Sequence, residues 1–358
     1  MKFRRKYIKT IKKNISERNF SWLLKQLLNA MSILLSVKTK KCFNYPILCG
    51  LVVTYRCNMK CLFCQLPRRS TNPEFNEDEF KSMILQFHDL GGTAIGFTGG
   101  EPLLRKDIFG LIKFAKNKKM ATQLTTNGIL LNEDTSVQLI DSGLDDLGIS
   151  LESHKPLVHD EIRGINNCWQ KVIEGIKIFL KVKDRMHAGA KITISTVLNE
   201  KNIDDVKDFI DFCHNIGIDN ISFGMVQEEF AKGNIRIEDK EKYSKVIEML
   251  IDYVKEGYMV DNSIEYLKEM CDGFSKNNEC WAGFQSLYVD CYGDIFPCYY
   301  YIEKNWCINN IKNGSLKELW KSKDYGLLRK KLLTCKNCSF VCHKELNTLF
   351  NMCKKIMK

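Results

Sequence analysis

The sequence predicts an α/β fold with a parallel sheet and helices outside it. Six short apolar runs alternate with segments of helical periodicity along the middle of the chain. Right-handed crossovers between such strands curl the sheet into a full or partial barrel. Glycine-rich and polar motifs directly follow several of the runs. That is where ligands bind in such folds, at the C-terminal ends of the strands.

The first segment, residues 1–45, reads as a basic helical arm. Residues 1–41 contain twelve Lys and Arg against Glu17 alone, which accounts for the whole net charge of +11. The body that follows is therefore neutral, and the basicity is local. Apolar residues recur at helical spacing from Tyr7 to Ile15 and again from Phe20 to Leu35. Lys25 and Asn29 interrupt the second stretch, which is too short to span a bilayer. A basic amphipathic helix suits an anionic membrane surface. For Phe20 to Leu35 the expectation is a helix packed on the bottom of the barrel, with surface binding as its competitor; for Met1 to Arg18 the expectation is surface binding. No nucleic-acid recognition motif accompanies the charge, so nucleic acid is not an expected partner.

Residues 46–260 carry the alternation. Strands are predicted at Cys49 to Thr54, Ala94 to Thr98, Thr122 to Thr126, Leu144 to Leu151, Lys191 to Val197 and Asn220 to Met225. Helices are predicted between and after them: Glu77 to Leu90, Asp107 to Asn117, Glu133 to Asp141, Trp169 to Lys181, Ile203 to Ile216 and Asp239 to Lys255. No internal repeat or low-complexity tract is present.

The chemistry begins after the first strand. Cys57, Cys61 and Cys64 lie in Cys57-Asn58-Met59-Lys60-Cys61-Leu62-Phe63-Cys64. Cubane clusters ordinarily take four Cys ligands. Three thiolates with no fourth nearby leave one iron open, as an open coordination position does at a catalytic metal. A zinc knuckle or three buried thiols are the competing readings. Sixteen Cys in 358 residues, with no evident signal peptide, favour reduced, metal-binding thiols and a cytoplasmic location over a disulfide scaffold. After the second strand comes Gly99-Gly100-Glu101-Pro102. Its glycines permit close backbone approach, and its carboxylate can accept from an ammonium group. Asn127 ends strand three, and Ser150 and Glu152 end strand four. Arg163 supplies a guanidinium fork suited to a carboxylate.

Residues 261–358 form a Cys-rich region. A hairpin is predicted from Tyr288 to Cys298, turning at Tyr292-Gly293-Asp294, followed by a helix near Leu316 to Trp320. A hairpin Cys pair plus Cys335-x2-Cys338 across the helix can make a four-thiolate site, for which zinc and iron–sulfur are both chemically allowed.

The Cys-x3-Cys-x-Phe-Cys motif followed by Gly-Gly-Glu-Pro resembles the radical S-adenosylmethionine (SAM) superfamily, over roughly Leu51 to Glu345. The resemblance implies an open, partial (βα)6 TIM-type barrel. It implies a [4Fe–4S] cluster on Cys57, Cys61 and Cys64, whose open iron is chelated by SAM. Phe63 would then lie near the adenine, Gly99 to Pro102 at the amino group, and Arg163 at the SAM carboxylate. Asn127, Ser150 and Glu152 would line the cofactor, although relatives usually carry Asp where this chain has Glu152. The reduced cluster passes one electron to the sulfonium, and the resulting 5′-deoxyadenosyl radical abstracts hydrogen from the substrate.

The C-terminal order resembles the SPASM/twitch extension and implies one auxiliary [4Fe–4S] cluster on Cys280, Cys298, Cys335 and Cys338, with Cys342 as an alternate ligand or one end of a second cluster. Its pattern is broken after Cys338. Relatives so extended modify peptides or oxidise small molecules. The expected substrate is therefore a peptide or protein side chain, with a small-molecule or lipid-linked substrate as the alternative. A reductant such as flavodoxin or ferredoxin is the expected electron donor. A non-catalytic iron–sulfur or zinc protein is the competing class. The co-occurrence of the Cys triad, Gly-Gly-Glu-Pro and Arg163 argues against it.

Overall fold

Buried parallel strands order the molecule. In the computed structural model, which describes residues 20–66, 73–271, 279–335, 340, 341 and 345, nine strands form one sheet in the order β6-β5-β4-β3-β2-β1-β7-β8-β9. The six predicted strands are β1 (Leu48–Thr54), β2 (Ala94–Gly99), β3 (Ala121–Thr126), β4 (Asp146–Ser150), β5 (Lys191–Leu198) and β6 (Asn220–Met225), all parallel. Almost every residue of β1 is buried, as expected for a strand covered on both faces.

The crossover helices end as their local chemistry dictates. Asn76 caps α2 (Glu77–Asp89) in a capping box with Glu79, and the helix buries Phe80, Met83, Ile84 and Phe87 against the sheet. Helices α3 (Ile108–Asn117) and α4 (Glu133–Asp141) follow β2 and β3. After β4 the chain forms α5 (Pro156–Arg163), a helix that is not among the predicted ones. Pro156 sits in its first turn and Gly164 ends it in the left-handed conformation. Then come α6 (Cys168–Arg185), α7 (Val206–Asn215) and α8 (Lys240–Glu256), each within a few residues of its predicted place.

The first described helix, α1 (Phe20–Thr39), is packed on the protein, as expected for Phe20 to Leu35. Ile33 and Val37 pack against Trp281, Phe284 and Leu333, beside the N-terminal ends of the strands. The stretch Met1 to Arg18 lies outside the described residues.

After α9 (Ile264–Cys271) and a short turn α10 (Ala282–Gln285), the predicted hairpin appears as β7 (Ser286–Asp290) and β8 (Asp294–Phe296). Its first strand does more than pair with its hairpin partner. β7 runs parallel to β1, Leu48 opposite Ser286 through Val52 opposite Asp290. The Cys-rich region therefore continues the barrel sheet and shares its apolar core. Helix α11 (Tyr299–Glu303), β9 (Asn309–Asn310), α12 (Leu316–Lys321) and α13 (Lys323–Leu332) complete the described structure. Buried Arg329 joins the last two helices. It lies over the Trp320 and Tyr325 rings and donates to the carbonyls of Gly283 and Trp320.

Asp290, at the end of β7, ties this region to the barrel. Its carboxylate accepts from the Tyr55 hydroxyl (2.8 Å) and from the N–H groups of Tyr292 and Asp294 (2.9 Å each). Burial raises its carboxyl from 3.8 to about 6, more than these donors pull it back. The folded chain thus binds a proton that the unfolded chain has released, and this group's contribution to stability falls as pH rises from 3.8 to about 6. Asp290→Asn removes that dependence while keeping one carbonyl for the two backbone donors. Thermal melts across this window are predicted to show a smaller loss of melting temperature with rising pH in the variant than in the parent.

Candidate active site

Because the first seven strands are parallel, their C-terminal ends share one edge, and the predicted motifs gather there. The Cys loop leaves β1 and is gripped from two sides by backbone hydrogen bonds. On one side, Gly100 N–H donates to the Thr54 carbonyl and Glu101 N–H to the Arg56 carbonyl, both at 2.8 Å. On the other, Lys60 and Leu62 donate to the carbonyls of Arg163 (3.1 Å) and Ile162 (3.0 Å), at the end of α5.

Two glycines make this approach possible. A Cβ on Gly100 would lie 2.2 Å from the Arg56 carbonyl oxygen. Gly164, at φ +68°, would place a Cβ 2.5 Å from the Lys60 carbonyl oxygen. The close approach expected of Gly-Gly is therefore made to the Cys loop itself. Gly99 ends β2 opposite Thr54, and Pro102 is buried at the start of a 3₁₀ turn.

Cys61 is buried, and Cys57, Phe63 and Cys64 pack around it with Met59 and Cys168. The Cys57 and Cys64 thiols are pushed above their ordinary value, chiefly by burial. Cys61 adds to the rise in both, and the Glu303 carboxylate adds to that of Cys64. Unligated, such thiols stay protonated. A bound metal cluster supplies the positive charge that holds them as thiolates.

Glu101 is wholly buried. Its carboxylate accepts from the Thr126 hydroxyl (2.7 Å), Asn127 N–H (2.7 Å) and Leu103 N–H (3.0 Å). Burial nevertheless leaves its carboxyl above the ordinary range. A carboxylate has about four acceptor positions, so these donors occupy most of its capacity. The Asn127 side chain reaches into the Cys loop, donating to Asn58 Oδ1 (2.6 Å).

Arg163 is buried and ion-paired to the buried Glu152. One terminal nitrogen lies 3.5 Å from Cys61 Sγ, and the guanidinium sits 5.5 Å from the centroid of the Phe63 ring. Its Nε has no hydrogen-bond partner. Burial works against the guanidinium charge, but Glu152 and Cys61 more than offset it, so Arg163 is held firmly protonated. Glu152 is fixed in turn. Val197 N–H donates to its other oxygen (2.8 Å), and its own N–H donates to His159 Nδ1 (3.2 Å). Burial holds His159 neutral, its value lowered to about 3, which assigns the ring proton to Nε2. Ser150 is half-buried at the end of β4, opposite Ser195.

Several contributors escaped the sequence reading. Glu303 of α11 accepts from Gln65 N–H (3.2 Å), next to Cys64, across 238 positions of sequence. Asp160 accepts from Cys168 Sγ and from the N–H groups of Asn167 and Trp169, anchoring the start of α6 beside Cys61. No local pattern signals either arrangement. His159 and Asp160 adjoin Arg163 in sequence, which was the one available hint.

In the C-terminal region, Cys280 and Cys298 are buried and Cys335 is half-buried, and all three act electrostatically on Tyr301. Burial, and then these three sulfurs, push its phenol up to about 12. Cys298 immediately precedes α11, and Cys335 follows α13. Cys338 and Cys342 lie outside the described residues.

Comparison with known proteins places this site in a class. The profile of the Radical SAM superfamily matches residues 51–213, and that of SPASM, an iron–sulfur cluster-binding domain, matches residues 280–339. The chain is 31% identical over 229 residues to a probable GTP 3',8-cyclase of Methanocaldococcus jannaschii, covering 61% of this chain and 74% of that one. It is 26% identical over 302 residues to an AdoMet-dependent heme synthase of Oleidesulfovibrio alaskensis, 76% of this chain and 74% of the relative. It is 27% identical over 191 residues to a PqqA peptide cyclase of Bradyrhizobium diazoefficiens, 53% of this chain and 49% of that one. The fold matches that of Streptococcus suis SuiB bound to precursor peptide SuiA, with a TM-score of 0.68 at 21% identity over 94% of this chain and 85% of that one.

The chain is an enzyme belonging to the radical SAM superfamily, with a SPASM domain. Its cofactors are accordingly SAM, a [4Fe–4S] cluster and auxiliary iron–sulfur binding. The donor sets fit: three thiols share one loop, three more Cys lie in the C-terminal region near enough to act on Tyr301, and a guanidinium nitrogen without a partner lies beside the first set.

The clamp on the Cys loop makes a prediction. Gly100→Ala forces the loop away from its partner, at a cost of about 1–3 kcal/mol, and is expected to lower the iron and sulfide content of anaerobically reconstituted protein. Gly96→Ala, where a Cβ meets nothing within 4 Å, is expected to retain both. Metal analysis of the two variants checks this.

Proposed function

We propose that the chain binds its catalytic [4Fe–4S] cluster through Cys57, Cys61 and Cys64 and cleaves SAM there, to abstract hydrogen from a peptide or protein side chain. One observation carries the reading: the Cys loop, Gly99 to Pro102, Asn127 and the Glu152–Arg163 pair form one continuous hydrogen-bonded shell at the strand ends. When bound, the cluster and SAM supply the electron transfer and the 5′-deoxyadenosyl radical.

The chain's own residues position these groups. Backbone clamps fix the three thiols. Phe63 offers an aromatic face for the adenine, and Gly99 to Pro102, with Glu101's remaining acceptor capacity, face the amino group. Asn127 and Ser150 line the cofactor. Arg163 presents positive charge to the SAM carboxylate and to Cys61 at once, and Glu152 holds Arg163 in place instead of touching SAM. The barrel spans residues 46–260 in this reading and the auxiliary domain residues 261–358. Cys280, Cys298, Cys335 and Cys338 hold one auxiliary cluster, with Cys342 as an alternate. A flavodoxin- or ferredoxin-type protein supplies the electron.

The peptide substrate is supported by the PqqA peptide cyclase relative and by the SuiB–SuiA complex. A second reading, a small-molecule substrate, is favoured by the extent of the match to the heme synthase.

Anaerobic incubation of reconstituted protein with dithionite and SAM is predicted to yield 5′-deoxyadenosine, and Cys61→Ala is predicted to abolish it. Cleavage surviving in that variant overturns the assignment. Glu152→Gln leaves Arg163 without its counter-charge. It is expected to lower kcat/KM for SAM cleavage by roughly ten- to a hundredfold, with a changed electron paramagnetic resonance signal of the reduced cluster. A normal signal together with normal kinetics would show that Arg163 needs no such support.

A further inference from the structure

Helix α1 buries one face and leaves the opposite face bare. Ile33, Ser36 and Val37 are turned into the protein. Leu24, Leu28, Met31 and Leu35 are 57%, 56%, 56% and 49% exposed. At 3.6 residues per turn these four lie within about 60° of arc. Their α-carbons span roughly 16 Å along the axis. Scattered exposed apolar residues are ordinary, but a continuous stripe of four long ones is an interaction surface.

Charge identifies what covers it. The whole net charge of +11 falls in residues 1–41, on either side of the stripe in sequence but for Lys25, while the rest of the chain is neutral. Lys38, Lys40 and Lys41 are exposed at the C-terminal end of the same helix. An apolar stripe flanked by lysines suits a surface that is apolar inside and anionic at its rim.

We infer that the Leu24–Leu28–Met31–Leu35 stripe seats α1 in the headgroup region of an anionic lipid bilayer. The helix lies along the surface without crossing it. No helix among the described residues is long and apolar enough to span a membrane. The stripe inserts between acyl chains, and the flanking lysines meet lipid phosphates. Since Ile33 and Val37 pack on Trp281 and Phe284, beside the N-terminal ends of the strands, the catalytic edge of the sheet faces away from the lipid. This inference stands apart from the SAM chemistry.

The test is flotation of the full, cluster-loaded chain with vesicles of phosphatidylcholine alone or mixed with phosphatidylglycerol. The expected result is flotation with the mixed vesicles only, weakened by added salt. Combined L24E, L28E, M31E and L35E substitutions are expected to reduce flotation roughly tenfold or more, because the apolar transfer is lost. SAM cleavage and melting temperature should stay unchanged, since these side chains already face water. Should that variant fail to fold, the milder pair L24Q and L28Q is expected to give a partial loss. Equal flotation of parent and variants overturns the inference. So does a concentration-dependent dimer that the same substitutions dissolve, in a protein that binds no vesicles.

Discussion

A short loop of backbone held on two sides is the constraint on which the site depends. Between Thr54 and Leu62 the chain has no regular structure of its own, so its backbone polar groups have no helix or sheet ladder to pair in. Such groups must find partners. Gly100 and Glu101 donate to it from one side, and it donates to the end of α5 on the other. Glycines stand at both contacts because a Cβ would sit inside the partner's carbonyl oxygen. The three thiols are thus set by main-chain geometry, which resists perturbation better than a set of flexible side chains.

Around this clamp lies an electrostatic arrangement built at some expense. Burying Glu101, Glu152 and Arg163 removes three charges from water. Each is compensated by a dense set of donors or by its opposite. Glu152 pairs with the Arg163 guanidinium, which lies near the Phe63 ring and within 3.5 Å of Cys61 Sγ. The neutral His159 behind it, whose Nδ1 takes the Glu152 N–H, extends this support inward.

The Cys-rich region is joined to the barrel more closely than a simple appended domain. β7 continues the sheet beside β1, Asp290 bonds Tyr55, and Glu303 bonds the backbone next to Cys64. One short helix, α11, therefore begins just after Cys298 and ends at Glu303, which accepts from Gln65 N–H next to Cys64. Among the described residues, the two thiol sets are thus joined through one sheet and one apolar core.

Local chemistry settled much of this in advance. The Cys57-x3-Cys61-x2-Cys64 spacing, the Gly-Gly-Glu-Pro turn and the alternation of apolar runs with helical periods each depend on residues close in sequence. They were legible, as were the six strands to within about two residues. The arrangement of partners was not. That Gly100 faces the Cys loop, that Glu152 faces Arg163, that β7 lies beside β1 and that Glu303 approaches Cys64 are contacts between distant segments. The bare stripe on α1 is of the same kind. Its helical spacing was written in the chain, but which of its faces would be covered was decided only when Trp281 and Phe284, some 250 residues later, packed against one side. Spacing along a chain determines what a segment can present; only the folded core determines which side remains to present it.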